Sequence, residues 1–286
     1  MPSTMSTAVI DGIPTRYEVS GDGPPLLMFS PGGFDSRLEN WTRHGIYPRI
    51  ELMARLRERF TCIAFDRRES GRSGGRLERV TWAHWVAQGA GLLDHLGIER
   101  AHLIGACVGC STAAAFAVAH PERTARMVLY SPAGGPRYRM TQLARFGAHA
   151  AYVAGSGLGA VVELARSGQA QFAADPRVGP WVSVLRTDDA FAKEYAAADP
   201  AAYVPMVTAM GRLLFDRDTV CGAEPEDLMA LDVPALVVPG QDASHAPSAA
   251  RYLQECLRRS EYWDVPVAAQ TAANAPARVL DFLSQQ

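Results

Sequence analysis

The sequence lacks the features that would place the protein in a membrane or on a nucleic acid. Its 286 residues contain no apolar run of about 18, the length that a membrane-spanning helix needs. Its 30 acidic residues slightly outnumber its 28 lysines and arginines, and no basic stripe occurs, so neither nucleic acid nor an anionic membrane is expected as a partner. Residues 1–7 lack the basic and apolar parts of a secretion signal. We therefore expect a cytoplasmic protein.

Cysteine is scarce, and its count is odd. Five cysteines in a chain that is large enough to fold without disulfides should mostly be free thiols. We expect Cys62 and Cys256 to be buried filler of the core. No second pair of cysteines or histidines has the spacing of metal ligands, so neither a metal ion nor a cofactor is predicted. Only Cys107 and Cys110 stand in a context that indicates chemistry.

Composition and hydrophobic pattern indicate one α/β domain. The chain is 48% hydrophobic and 20% charged, which is typical of a globular protein with one large core. Short runs of Val, Ile and Leu alternate with segments of helical period, the pattern of a mostly parallel sheet with helices on both faces. The predicted strands are 26–30, 61–65, 101–104, 127–130, 235–239 and 261–265. The predicted helices are 49–59, 82–96, 108–119, 248–257 and 277–283.

The strand signal disappears between residues 136 and 226. Ala, Leu and Val recur there at helical spacing, with breaks at glycine and proline. We predict a helical lid in this insertion, with residues 1–135 and 227–286 forming the core. Part of its large apolar side chains should line a pocket, which favours a small apolar or aromatic substrate. These side chains are Tyr138, Met140, Phe146, Tyr152, Trp181, Phe191, Tyr195, Tyr203, Met206 and Met210.

The segment AHLIGACVGC, residues 101–110, runs from a predicted strand through a sharp turn into a helix. It sets Cys107 between Gly105 and Gly109, in the spacing G-x-nucleophile-x-G. Side chains at the glycine positions would clash with the neighbouring strand and helix. The thiol would lie at a helix N-terminus, whose N–H groups and dipole favour the thiolate. We predict that Cys107 is a nucleophile; the alternative is an incidental cysteine in a small-residue turn.

Three further loop motifs follow predicted strands. They are SPGGF (30–34), DRRESGRSG (66–74) and PGQD (239–242). Together with the turn at Cys107, they resemble in type and order the α/β-hydrolase family, from about residue 10 to residue 283. That resemblance implies an α/β-hydrolase fold with a sheet of about eight strands, Cys107 as nucleophile and Asp242 as the acid that orients the base. It also implies oxyanion donors at the N–H groups of Val108 and Gly33, with Phe34 as the alternative to Gly33.

The chain departs from this family at three places. Residues 30–31 are Ser-Pro where the family has His-Gly, and Glu69 stands at a glycine position of the second motif. The third departure is that no histidine follows His245, whereas the family's catalytic histidine shortly precedes the last helix. We predict that Ala269 and Gln270 occupy its place, and neither side chain transfers a proton at neutral pH.

Several residues could supply the missing base. His245 follows Asp242 in the same loop, at the sheet edge where the site forms, and we predict that it is the base. The alternative for His245 is a loop histidine that caps the next helix or lies at the surface. His44, His149 and Glu69 are the other candidates.

A cysteine nucleophile in this fold predicts a cofactor-free, hydrolase-type enzyme. A thiol of lowered pKa attacks without a base, although hydrolysis of the resulting thioester needs one. The substrate would be an apolar or aromatic ester, thioester, lactone or activated C–C bond. Alternatives are a non-hydrolytic member that catalyses acyl transfer, elimination or cyclisation, and a ligand-binding member that has lost the base. The Cys-x-x-Cys spacing between Cys107 and Cys110 also leaves a redox role open. The sequence leaves open as well whether the protein forms a homodimer.

Overall fold

Residues 4–285 of the computed structural model form a twisted sheet with helices on both of its faces. Within these residues the sheet has eight strands: β1 (Thr4–Ile10), β2 (Ile13–Ser20), β3 (Pro25–Phe29), β4 (Thr61–Phe65), β5 (Ala101–Ala106), β6 (Thr124–Tyr130), β7 (Ala235–Val238) and β8 (Ser260–Tyr262). Their order is β1-β2-β4-β3-β5-β6-β7-β8. The pairs β1–β2 and β2–β4 are antiparallel, and every other pair is parallel. Residues 1–3 and 286 lie outside the described residues. Both stretches belong to the predicted core ranges, and residues 1–3 also belong to the N-terminal segment 1–7.

The helices connect the strands in chain order. They are α1 (Asn40–Arg43), α2 (Leu52–Leu56), α3 (Trp82–His95), α4 (Gly109–Ala119), α5 (Pro136–Ser167), α6 (Val182–Thr187), α7 (Asp189–Ala197), α8 (Pro200–Leu214), α9 (Pro225–Ala230), α10 (Pro247–Cys256) and α11 (Ala275–Leu283). Helices α3, α4 and α10 pack on one face of the sheet, and α1, α2 and α11 pack on the other. This arrangement buries alternate strand residues on opposite faces. Both faces are therefore covered, as the near-continuous apolar strands require.

The central strands agree with the sequence pattern, whereas the first two do not appear among the predicted strands. β1 and β2 form a hairpin whose turn residues, Asp11 and Gly12, have φ of +49° and +71°. Asp-Gly between two alternating strands is the residue pair that such a turn requires, because both positions have positive φ. The signal for this hairpin was thus local turn chemistry rather than a run of apolar residues.

The insertion between β6 and β7 is helical. Helices α5 to α8 pack on one another around a buried cluster that includes Trp181, Tyr195 and Tyr203. Helix α9 crosses the predicted boundary at residue 226, and its Leu228 packs in the core of the sheet. The two thiols predicted as core filler, Cys62 and Cys256, are indeed buried and free.

Candidate active site

Cys107 occupies a strained turn between the central strand β5 and helix α4. Its φ of +55° lies in the left-handed region, which costs energy for any residue with a side chain. Cβ atoms added to the flanking glycines would come within 2.4 Å of the Gly109 carbonyl oxygen, from position 105, and 2.1 Å of the Phe29 carbonyl oxygen, from position 109. Both glycines are therefore required by the close packing of strand, turn and helix, as the sequence pattern predicts.

The loop after β7 brings an acid and an imidazole to the same turn. Asp242 accepts hydrogen bonds at 2.8 Å from Ser244 N and 3.1 Å from His245 N, which closes the loop on itself. His245 Nδ1 lies 2.8 Å from both carboxylate oxygens of Asp242. The loop is also attached to the segment after β6, because Gly134 N donates to Ser244 O at 3.0 Å. The imidazole is therefore held at Nδ1, with Nε2 directed away from the acid.

The thiol of Cys107 and the imidazole of His245 line the same pocket, and each shifts the pKa of the other. Burial raises the pKa of Cys107, but the His245 imidazole and the N–H groups of Val108 and Gly32 lower it below its ordinary value. Burial lowers the pKa of His245, whereas Cys107 and Asp242 raise it to about 9. His245 Nε2 is buried and forms no hydrogen bond of ordinary geometry to any of residues 4–285, so it is not engaged elsewhere. The two shifts together favour the thiolate–imidazolium form of the pair.

The turn after β3 approaches the sulfur through the N–H group of Gly32. The N–H group of Gly32, together with that of Val108, stabilises the thiolate. The sequence analysis names Gly33, one residue further, with Phe34 as its alternative. The Gly33 carbonyl accepts a 2.6 Å hydrogen bond from Arg67, whose guanidinium stacks 3.7 Å from the ring centre of Trp85. This buried cation holds the Gly33 carbonyl of the turn.

A pocket of about 490 Å³ opens beside Cys107. Its wall comes from the turn after β3, the segment before α2, and the loops that follow β6, β7 and β8. The lining residues are Pro31, His44, Gly45, Ile46, Tyr47, Arg49, Cys107, Ser131, Gly240, Gln241, Asp242, His245 and Val267. Both apolar and polar side chains line the pocket beside Cys107, so the pocket suits a ligand with an apolar body and a polar group.

The other candidate bases differ in their access to the sulfur. His44 lines the pocket with Cys107. Glu69 is buried, has a φ of +66° and pairs with Arg68 at 2.8 Å, and it does not line the pocket. His149 is buried within the helical insertion, where its Nε2 lies 2.7 Å from the Tyr203 hydroxyl, and burial lowers its pKa to about 4. Of these three, only His44 could reach a substrate bound at Cys107.

The loop after β8 is not arranged as the sequence analysis expects. Gln270 is fully buried, accepts a hydrogen bond from the Tyr130 hydroxyl and donates to Val265 O at 3.0 Å, while Ala269 is exposed. Neither residue lines the pocket; Val267 does. The expectation that Ala269 and Gln270 fill the place of the missing histidine is therefore wrong, because the Gln270 amide is satisfied inside the core.

The large side chains of the helical insertion also lie elsewhere than expected. Most of them pack in the buried cluster of the insertion, whereas Met140 is exposed. Cys107 contacts the edge of that cluster, but no residue from 136 to 226 lines the pocket described above. Cys110 packs behind the turn, where its thiol donates to Gly105 O at 3.1 Å and Tyr130 O at 3.4 Å.

Several pocket residues carry no signal that sequence reasoning uses. Tyr47 and Arg49 come from an irregular segment, and Gln241 is the unremarked third residue of the motif that ends at Asp242. Ser131 is different, because it follows a strand and has a φ of +50° without being glycine. Gly32 could have been found by treating both glycines of the turn after β3 as donors.

Comparison with known proteins supports the fold reached from these observations. The sequence matches the family described as alpha/beta hydrolase fold over residues 25–154, a stretch that includes Cys107 but ends before Asp242 and His245. The crystal structure of the enol-lactonase from Burkholderia xenovorans LB400 superposes with a TM-score of 0.63 at 21% identity, over 98% of this chain and 100% of that one. This chain has the α/β-hydrolase fold.

Two relatives match a part of this α/β-hydrolase chain. One is the dihydrolipoyllysine-residue acetyltransferase component of the acetoin cleaving system of Cupriavidus necator, 34% identical over 44% of this chain and 32% of the relative. The other is the 2-hydroxymuconate semialdehyde hydrolase of Pseudomonas sp. (strain CF600), 35% identical over 43% of this chain and 41% of the relative. The chain thus aligns with less than half the length of either protein.

Residues 4–285 contain neither a membrane-spanning helix nor a cluster of metal ligands. Within that range, no helix has both the length and the apolar character needed to cross a membrane. Over the same residues, no group of three or more His, Cys, Asp or Glu side chains is arranged to hold a metal ion.

Proposed function

We propose that this protein is a cofactor-free hydrolase in which Cys107 is the nucleophile, His245 the base and Asp242 the acid that orients the base. One observation carries the proposal: the free thiol of a strained turn lies beside an imidazole whose other nitrogen is held at 2.8 Å by a carboxylate. Nucleophile, base and orienting group in that sequence of contacts are the arrangement of covalent catalysis. The hydrolase names of several relatives agree with it.

The geometry supports a two-step reaction. The Cys107 thiolate attacks a carbonyl carbon, and the oxygen that becomes negative accepts hydrogen bonds from the N–H groups of Val108 and Gly32. The bond to the leaving group breaks, and that group takes the proton from His245 Nε2. Neutral His245 then removes a proton from water, which attacks the thioester and releases the thiolate. The imidazolium formed in this step restores the starting pair.

The proposed substrate is an ester, thioester, lactone or activated C–C bond with a small apolar or aromatic body. Pro31, Ile46 and Val267 supply apolar walls next to the sulfur. The helical insertion would act as a lid, since Cys107 packs against the edge of its buried cluster.

A trapping experiment tests this function. Purified protein is mixed with 4-nitrophenyl butyrate, quenched, digested and examined by mass spectrometry. An acyl group on the Cys107 peptide is expected, and it should accumulate in the His245→Ala variant because thioester hydrolysis then lacks its base. Acylation of another residue, or steady turnover by Cys107→Ala, would refute the proposal.

A further inference from the structure

Two side chains that line the pocket, Arg49 and Gln241, form hydrogen bonds with the backbone of one residue, Val267. Arg49 donates to Val267 O at 2.6 Å, and Gln241 accepts a hydrogen bond from Val267 N at 3.0 Å. All three residues line the pocket that contains Cys107. The loop in which the family carries its catalytic histidine therefore acts here as the anchor of an arginine and an amide from two other segments.

The anchored groups leave hydrogen-bond donors without a protein acceptor. Among residues 4–285, Arg49 forms no ion pair, and its hydrogen bond to Val267 O uses one terminal nitrogen. Gln241 uses its oxygen on Val267, and its amide nitrogen has no acceptor within the described chain. A guanidinium beside an amide N–H₂ is a set of donors only, and such a set matches the oxygens of a carboxylate.

The other charged groups of the pocket are engaged with one another. Asp242 is the acidic side chain of the lining, and its two oxygens accept from His245 and from the N–H groups of its own loop. Cys107 and His245 form a second pair, in which each group favours the charged form of the other. His44 is also in the wall and adds no negative charge. Arg49 is thus the cation of the pocket without a partner.

We propose that Arg49 and Gln241 bind a carboxylate on the acyl part of the substrate. Only the acyl part stays in the pocket through both half-reactions, so donors fixed in place by the backbone serve both steps when they hold that part. The substrate class is then a short acid whose second carboxyl group is esterified or otherwise activated. Two experiments test this inference. The one that measures turnover rests on the proposed function, and the one that measures labelling of Cys107 rests on the pocket alone.

The labelling arm compares two reagents of similar size and different charge. Iodoacetate and iodoacetamide both form an S–CH₂ bond with the thiolate and release iodide. The quantity measured, by mass spectrometry, is the rate constant for iodoacetate at Cys107 divided by that for iodoacetamide. This ratio reports attraction of an anion to the pocket without any turnover. The ratio is expected to fall about tenfold in Arg49→Gln, the size of effect that a hydrogen-bonded charge pair supports.

Two further variants distinguish an effect of charge on the ratio from an effect of a disturbed structure. Gln241→Glu keeps an oxygen that accepts from Val267 N but adds a negative charge, so the ratio should fall at least as far. Arg55→Gln removes an exposed arginine of α2 that pairs with Glu58 and does not line the pocket, so the ratio should not change. A ratio that is equal in wild type, Arg49→Gln and Gln241→Glu would overturn the proposal.

The turnover arm uses 4-nitrophenyl hemiglutarate and hemisuccinate against the neutral 4-nitrophenyl butyrate. Wild type should favour at least one hemiester in kcat/KM, and Arg49→Gln should lose about tenfold more on that hemiester than on butyrate. Equal losses on both substrates would count against carboxylate binding. If no ester is turned over while the labelling ratio still depends on Arg49, the proposed hydrolysis fails and the carboxylate site stands.

Discussion

The loops after β7 and β8 differ in which of them brings titratable side chains to the pocket at Cys107. In the family that the sequence resembles, the acid follows β7 and the base follows β8, whereas here Asp242 and His245 both lie in the first loop, with a 2.8 Å contact between them. The second loop carries no titratable side chain toward the sulfur; its Val267 lines the pocket, and its Gln270 is buried against Tyr130. If the proposed roles hold, the base reaches the nucleophile from a different loop while Asp242 still holds its Nδ1.

The reason is geometric. Asp242 closes a short turn by accepting the N–H groups of Ser244 and His245, and that turn brings the imidazole of the third residue back onto the carboxylate. In the loop after β8, the amide of Gln270 is buried and both of its ends form hydrogen bonds within the core. Four experiments test this contrast.

The largest effect is expected for Cys107, the proposed nucleophile, which lines the same pocket as both loops. Cys107→Ala should lower turnover on the order of 10⁴-fold or more, because the covalent route is lost. Cys110→Ala is the matched control: its thiol donates to two carbonyls behind the turn and touches no pocket, so turnover should stay within about threefold. Steady-state assays of both variants would count against the account if the two behaved alike.

The next effect concerns the base. His245→Ala should cost on the order of 10² or more in turnover and should turn the time course into a burst followed by slow release. His44→Ala removes the other histidine of the pocket and serves as control, with a much smaller loss expected. Stopped-flow traces decide between them, and the reverse ranking would assign the base to His44.

A smaller effect, with a pH signature, is expected from the acid. The alkaline limb of kcat/KM should fall with the deprotonation of His245, whose pKa is about 9. Asp242 raises that pKa, so Asp242→Asn should move the limb to lower pH and reduce kcat/KM by roughly tenfold to a hundredfold. The acid limb follows the lowered pKa of Cys107. An alkaline limb that does not move would disconnect Asp242 from His245.

The smallest effect tests whether the loop after β8 can regain its role. In the His245→Ala background, Val267→His puts an imidazole into the pocket wall and should recover part of the lost turnover. Gln270→His should recover none and should cost about 1–3 kcal/mol in unfolding free energy, because a buried amide with two hydrogen bonds is lost. Kinetics and denaturant titration of the two double variants separate the positions; recovery through position 270 instead would contradict the described loop.

Much of this arrangement could be predicted from the sequence because it rests on local constraints. A G-x-Cys-x-G turn between a strand and a helix reports its own geometry, and Asp242 and His245 lie three residues apart in one loop. The Asp-Gly hairpin of β1 and β2 was equally local, yet a search for apolar runs passes over strands in which polar residues interrupt the apolar ones.

The pocket walls could not be predicted, because they depend on tertiary contacts between distant segments. Arg49 meets Val267 across 218 positions of the chain, and no motif marks either residue. The aromatic side chains of the helical insertion gave a misleading signal for the same reason: their spacing shows burial, and burial inside the insertion satisfies it as well as a substrate pocket would. Glu69 likewise is buried by its pair with Arg68 rather than directed to the sulfur.

The central claim is that His245, from the loop after β7, holds Cys107 as a thiolate. The most direct test is the rate of Cys107 alkylation by iodoacetamide as a function of pH, in wild type and in His245→Ala. The account predicts that wild-type labelling stays fast well below the ordinary thiol pKa of about 8.5 and that the profile of His245→Ala moves to higher pH, because the imidazolium no longer stabilises the thiolate. Superimposable profiles would contradict the claim.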